Sequence, residues 1–434
     1  MPLVILVNIL SIFVLSSFSY ALDLFEAYNK AKAHDPEYLS VYYDYKANLT
    51  LTEQAVSKVL PQINASYTLS NYRFITGESF YRDYAAEQTN ITMQQAVFNL
   101  PSIIEIKQSD LRVKASESRL KNAEQNLIKR VSEAYFDLLY AEEYLKVIKE
   151  EKKAIEEQLN MIKKLFSAGE ATLADVHDAE AKFYDVMFRE VDAEKALYAK
   201  KKALARIIGE EPDNLSILSV ELPAEKLIPD ELQKWIDIAK ENNPVIRFYL
   251  LQKEVADDEL RKQKAQWLPS VSIFSAYSKT NTRDYLQVTP LSYLTLGFQV
   301  NLNILSGGYI TAKIKESKER VMQAEKDYEK AVSDVSQGVV ESFFGVKSAI
   351  AGIASSKASV RASELAVIST KKGYEAGIRT FVDILNAESN LYRAKLNYVR
   401  SNYDYIKNLV DIYFYSGIIS EEHALKINSW LKRK

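Results

Sequence analysis

Two periodicities divide the chain. Leu127, Ala134, Ala141, Ile148, Ile155 and Ile162 recur every seven residues, and Val131, Leu138, Leu145, Leu159 and Phe166 repeat the spacing, with Lys152 the one charged member. A sustained heptad of this kind is the seam of a coiled coil. The spacing predicts one helix over 102–167, roughly 100 Å long at ~1.5 Å per residue. A returning helix continues the seam through Val176, Phe183, Leu197 and Leu204, with Ala179, Val186, Ala193 and Ile207 beside them. No ordinary globular domain needs such a helix; a structure that crosses a compartment does.

Period-2 alternation marks the second kind of segment. After Pro61, Ile63, Ala65, Tyr67 and Leu69 alternate with Asn64, Ser66, Thr68 and Ser70. Later, Leu294, Leu296, Phe298, Val300 and Leu302 alternate with Tyr293, Thr295, Gly297, Gln299 and Asn301. Stretches 87–98 and 270–278 alternate as well, with hairpin loops expected at 74–86 and 279–292. Strands with one apolar and one polar face suit a barrel in lipid with a wet interior. Four strands cannot close such a barrel, and open edges cannot sit in lipid, so three chains supplying twelve strands are expected. A soluble β-sandwich capping a coiled coil is the alternative.

The chain repeats itself at an offset of 208. Pro36 answers Pro244, Pro61 answers Pro269, and Val131-Ser-Glu-Ala-Tyr-Phe136 answers Val339-Val-Glu-Ser-Phe-Phe344. The longest match sets Phe166-x-Ala-Gly169-x-x-Thr172-x-x-Asp175 against Tyr374-x-Ala-Gly377-x-x-Thr380-x-x-Asp383. One offset held across separate segments indicates duplication. The expected organisation is a signal peptide over 1–21, a first repeat over 22–210, a linker over 211–229, a second repeat over 230–416 and a tail over 417–434. Each repeat should run as a helix of about 35 residues, two strands, a very long helix, a turn and a returning helix, a mostly α fold with β.

Composition narrows the function. Fifty-six basic against 58 acidic residues leave no basic excess for nucleic acid. The absence of cysteine removes thiol catalysis, disulfides and thiolate metal sites, and His34, His177 and His423 lack ligand spacing. No nucleophile elbow, HExxH or phosphate-binding loop occurs, so neither enzymatic activity nor a cofactor is expected. Leu3 to Phe18 is apolar apart from Asn8 and serines, ending in Ser19-Tyr20-Ala21, a secretory signal cleaved after Ala21; a membrane anchor is the alternative. No later stretch approaches an apolar spanning helix, so membrane insertion should use strands.

The repeats have diverged in a directional way. Residues 128–162 hold fourteen charged side chains and one serine, whereas 336–370 hold five and eight. Small, uncharged residues let helices approach closely, so the second repeat's pair is expected inside a bundle and the first outside it.

These features resemble the TolC family of trimeric outer-membrane channels. Lys58-Val-Leu-Pro-Gln62, Tyr374-Glu-Ala-Gly-Ile-Arg-Thr-Phe-Val-Asp-Ile-Leu-Asn-Ala387 and the helical tail carry the resemblance through the mature chain. It implies a 12-stranded barrel in outer-membrane lipid, a helical tunnel through the periplasm, and a belt from the linker and tail. It implies a role as exit duct for a tripartite efflux pump or type I secretion system, with a periplasmic adaptor and a proton-driven or ABC-type exporter as partners. By the resemblance Gln158, Asp175, Tyr374 and Arg379 form a gate at the periplasmic tip, and Asp383 forms an acidic ring in the pore. A second ring three residues on is replaced here by Asn386, while Asp178 is its counterpart in the first repeat. The turns Ala168-Gly169-Glu170 and Ala376-Gly377-Ile378 correspond to adaptor-docking tips. A non-transporting periplasmic scaffold and an adhesin are the competing functions; the short inserts argue against an adhesive head.

Overall fold

The computed structural model describes residues 21–73, 75, 83–219, 222–282 and 290–432. The expected signal peptide lies outside them up to residue 20, as do the central parts of both hairpin loops. The first repeat contains helices α1 (Leu24–His34), α2 (Pro36–Asn48) and α3 (Leu51–Ser57), strands β1 (Gln62–Tyr72) and β2 (Tyr84–Phe98), then α4 (Leu100–Ser167) and α5 (Leu173–Ile208). After the short strand β3 (Ile217–Leu218), the second repeat contains α6 (Leu232–Asn242), α7 (Pro244–Ala265), β4 (Ser270–Thr282), β5 (Leu291–Asn301), α8 (Tyr309–Glu375) and α9 (Phe381–Tyr415). Helix α10 (Glu421–Asn428) and strand β6 (Leu431–Lys432) form the tail.

The opening helix of each repeat is broken rather than continuous. Pro36 and Pro244, the residues that mark the duplication, each start a new helix, because proline lacks the N–H that would continue the old one. The preceding residue caps the break: Asp35 accepts from the Tyr38 N–H at 2.9 Å, and Asn243 from the Val245 N–H at 2.9 Å. The strands also run further into the loops than alternation indicated, β2 starting at Tyr84, β4 reaching Thr282 and β5 starting at Leu291. Cross-strand hydrogen bonds extend them where the side-chain pattern has already lapsed.

The four long strands form one antiparallel sheet in the order β1-β2-β4-β5. Directly opposed residues share a face. One face carries the rows Ile63–Met93–Ser275–Leu296 and Ala65–Ile91–Tyr277–Leu294. The other carries Asn64–Thr92–Ala276–Thr295 and Ser66–Asn90–Ser278–Tyr293. The apolar side is bare in a single chain: Leu296 is 71 % exposed and Phe298 77 %. On the polar face the ring of Phe274 lies over Gly297, where a Cβ would stand 2.8 Å from it.

Below the sheet, α4 and α5 form one antiparallel hairpin and α8 and α9 the other. The expected seam is closed: Leu127, Ile148, Ile155 and Ile162 are buried, with Val131 and Leu138 beside them. Helix α8 departs from expectation in one respect, since by length and composition one of its stretches is apolar enough to cross a membrane. Its valines, isoleucines, alanines and phenylalanines between Val339 and Ala354 account for this, with only Glu341 and Lys347 charged among them; Ser342 and Ser356 each donate to a carbonyl four residues back at 2.7 Å, satisfying the hydroxyl within the helix.

Midway along the hairpins the linker and tail wrap the bundle. Strands β3 and β6 pair, and the buried Tyr135 hydroxyl lies 3.0 Å from the carbonyls of both Leu22 and Ser216. Trp430 stacks on Tyr405, and the Gln125 amide donates to the Gly417 carbonyl at 2.7 Å. Gly417 has φ +71°, and a Cβ there would stand 2.5 Å from the backbone of Asn243. Gly417→Ala should therefore cost on the order of 2–5 kcal/mol, from the left-handed conformation plus the overlap. Gly169→Ala, equally left-handed but in open space, should cost only ~1–2 kcal/mol. Denaturation midpoints of the two variants in detergent test this; equal losses would mean the close approach contributes nothing.

Candidate functional site at the hairpin tips

The two turns are built alike. In the first, the Glu170 N–H donates to the Leu165 carbonyl at 2.9 Å and the Gly169 N–H to the Phe166 carbonyl at 3.0 Å. In the second, Ile378 donates to Gly373 at 2.8 Å and Gly377 to Tyr374 at 2.9 Å. This double bond pattern ends a helix with a left-handed residue, and Gly169 and Gly377 supply it with φ +83° and +74°. A Cβ added to either glycine would meet nothing within 4 Å beyond its chain neighbours. The expected docking residues Ala168, Gly169, Glu170, Ala376, Gly377 and Ile378 thus stand at free tips, with Ile378 80 % exposed.

Each returning helix then opens with a capping box. Thr172 Oγ1 accepts from the Asp175 N–H at 3.2 Å, and Asp175 accepts from the Thr172 N–H at 3.0 Å. Thr380 and Asp383 repeat the exchange at 3.2 and 2.9 Å. Two amide groups of each helix start are satisfied in this way. The backbone and side-chain hydrogen bonds from Thr380, with a smaller contribution from the Arg379 charge, hold the exposed Asp383 carboxyl below the usual aspartate range. Asp175 and Asp383 are helix caps in the protomer, whatever else they do. The sequence signal for this was Thr-x-x-Asp at the start of an apolar-periodic run.

Between the turns the two hairpins pack together. Leu159, Ile162, Val176 and Ala179 of the first meet Phe381, Ile384 and Leu385 of the second. Tyr374 packs edge-on against Phe381 at 6.1 Å between ring centroids. Arg379 lies along Gly373, where a Cβ would stand 2.8 Å from its Cγ, and it forms no ion pair among the described residues of the protomer. Asn386 and Asp178 are both exposed.

The polar link between the hairpins inside one chain runs through a residue the motif comparison did not single out. Glu388 is buried, 2.6 Å from the Lys371 ammonium, and accepts from the Gln158 amide at 3.3 Å. Gln158 of the expected gate therefore does reach the second hairpin, but its partner there is Glu388 rather than Tyr374 or Arg379. The pair is itself duplicated: Lys163 and Glu180, each 208 residues earlier, lie 2.9 Å apart in a more exposed setting. That repetition was the available signal. Higher up, Tyr392 donates to the Glu150 carbonyl at 3.2 Å, a second tie between α9 and α4.

The family model described as outer membrane efflux protein matches residues 27–210 and 235–417. Outer membrane protein TolC of Vibrio cholerae is 28% identical over 422 residues, covering 96% of each chain. Alkaline protease secretion protein AprF of Pseudomonas aeruginosa is 24% identical, covering 93% of this chain and 86% of its own. Among solved structures, CusC superposes with a TM-score of 0.80 at 15% identity, covering 92% of this chain and 93% of its own. VceC from Vibrio cholerae superposes with 0.79 at 15%, covering 91% and 96%. The structural likeness carries the fold, and the sequence matches span both repeats. With both repeats matched, this outer-membrane chain belongs to the outer membrane efflux protein family.

Proposed function

We propose that three copies of this chain close a twelve-stranded barrel in the outer membrane and continue it as a helical tunnel through the periplasm. The assembly is the exit duct of a tripartite efflux pump or type I secretion system. It conducts passively, opens at the periplasmic tip, and meets a periplasmic adaptor at the two turns and an inner-membrane exporter beyond. The observation that carries this reading is the sheet: one apolar face, one polar face and two unpaired edges, set on hairpins long enough to cross a compartment. The order β1-β2-β4-β5 runs alternately up and down, so the edges of successive copies meet antiparallel and the ring closes without a parallel seam. A folded, monodisperse monomer in mild detergent would sink the proposal; a trimer with bilayer conductance is expected.

The gate works through Gln158, Asp175, Tyr374 and Arg379. Arg379 has its charge free to meet the neighbouring copy, and Asp175 presents a carboxylate at the same level of the first hairpin. Exposed ion pairs are worth only ~0.2–1 kcal/mol each, so three copies bias a two-state tip by roughly 1–3 kcal/mol. Tyr374→Phe keeps the ring contact with Phe381 and removes only the hydroxyl. Combined with Arg379→Ser it should raise single-channel conductance several-fold; no change would assign closure to the Gln158–Glu388–Lys371 contact instead.

Asp383 gives the pore one ring of three carboxylates, which attract cations entering from the periplasm. Asp383→Asn is the informative variant, because an amide oxygen still accepts from the Thr380 N–H while the charge is lost. It should abolish most block by a trivalent cation. Asn386→Asp should deepen the block, and Asp178→Asn should leave it nearly unchanged. Asp178 proving the stronger determinant would put the first repeat, not the second, around the pore.

A further inference from the structure

Arg379 has a seat that its own motif does not name. Gly373 lies in the last turn of α8, and it is not among the left-handed glycines of the chain. The backbone there does not require glycine. Apart from proline, glycine is the least favourable residue for a helix interior, so the missing side chain calls for a reason in packing. A Cβ on Gly373 would stand 2.8 Å from Cγ of Arg379 and 3.5 Å from its Cβ. Those atoms are the root of the arginine side chain, not its mobile end. The Gly373 carbonyl also accepts from the Ile378 N–H at 2.8 Å and from the Arg379 N–H at 3.1 Å. One residue thus meets both the backbone of Arg379 and the first bonds of its side chain.

The first repeat provides an internal control. The counterparts of Gly373 and Arg379, 208 residues earlier, are Leu165 and Ala171. The turn is built the same way there, with the Glu170 N–H on the Leu165 carbonyl at 2.9 Å. Leu165 and Ala171 both pack against the apolar cluster of the tip. Where the later residue ends at Cβ, the helix carries a full leucine; where the later residue is arginine, the helix carries no side chain at all. Large and small have changed places between two turns of one backbone pattern.

Other glycines of α8 are used in the same way. Gly338, Gly345 and Gly352 precede Gly373 by multiples of seven, and Tyr415, Asn408 and Ser401 of α9 stand over them. They mark one face of α8, turned toward α9. Gly373 is the member of this file whose overlying side chain is charged. Gly352 differs in another respect: a Cβ there would meet the Ser401 hydroxyl at an ordinary 3.4 Å.

We propose that Gly373 is a positioning residue for the gate: its missing side chain lets the Arg379 stem lie along α8 and so fixes where the guanidinium stands at the exposed rim of the tip. A side chain at 373 pushes Arg379 into another staggered χ1 well, about 120° away, and carries the charge off with it. The inference rests on the gate reading and adds the residue that sets its geometry.

The test is single-channel conductance of the full-length protein in planar bilayers, in the Tyr374→Phe background, where loss of Arg379 should raise conductance several-fold. Gly373→Ala should reproduce most of the rise that Arg379→Ala produces. Added to Arg379→Ala it should change nothing further, because no Cγ remains to be displaced. Gly352→Ala, on the same face of α8, should stay at the background value. Denaturation midpoints in detergent are measured on the same proteins. Gly373→Ala should not fall below the background, since alanine is the better helix former. Gly373→Leu with Arg379→Ala, which copies the first turn, should be as stable as the background and conduct like Arg379→Ala alone. Background conductance for Gly373→Ala, a rise that adds to that of Arg379→Ala, or a rise with a lowered midpoint overturns the role of Gly373 and leaves the gate standing. Background conductance for Arg379→Ala overturns both.

Discussion

A backbone amide in lipid has no water to turn to, and this constraint organises the molecule. Four strands leave a row of unpaired N–H and C=O groups at β1 and another at β5. Each such group costs several kcal/mol in hydrocarbon. A sheet with one apolar face and two open edges is stable there only as an arc of a closed ring. The duplication gives the long helices counterparts in unlike surroundings: Tyr392 and Leu396 of α9 are packed against their own chain, whereas Tyr184 and Phe188, 208 residues earlier on α5, are exposed.

Between the sheet and the tips, the belt anchors elements that are far apart in sequence. Tyr135 holds Leu22 against Ser216 of the linker, Asn428 accepts from the Leu24 amide at 2.9 Å, and Lys32 pairs with Glu421 at 3.0 Å. These contacts fix the middle of the bundle, while the hairpin tips are held by a smaller apolar cluster and by one buried carboxylate, Glu388. The proposed opening at the tips requires that asymmetry. The larger buried core lies at mid-height, and the tips are held by the smaller cluster.

The charge contrast between repeats has a structural counterpart. Charged pairs cross from α4 to α5 at Lys149–Glu194, Lys152–Glu190 and Glu151–Arg189. Along α8 the corresponding stretch has alanines and serines whose hydroxyls bond their own helix. Glu151 and Glu388 are exceptions to the rule that charges stay exposed; each is buried and each has a basic partner at 2.6 Å. Burying such a carboxylate without its partner would be strongly unfavourable, which makes both sites sensitive to loss of the cation.

Heptads, alternation and an offset of 208 were enough to read the hairpins, the strands and the duplication, because each is set by a short-range period repeated many times. Left-handed glycines and Thr-x-x-Asp caps are equally local, and the caps at Asp175 and Asp383 were present in the sequence although their motif suggested another role. Pro36 and Pro244 were legible as markers, yet their effect on the helix depended on caps from Asp35 and Asn243. Tertiary structure alone decided the rest. Glu388 is an ordinary surface glutamate by its surroundings in sequence, and it is buried only because α4 of the other hairpin lies over it. Gln158 found that glutamate for the same reason. Which face of a helix is covered depends on the azimuth of a neighbour hundreds of residues away, and no local period carries that information.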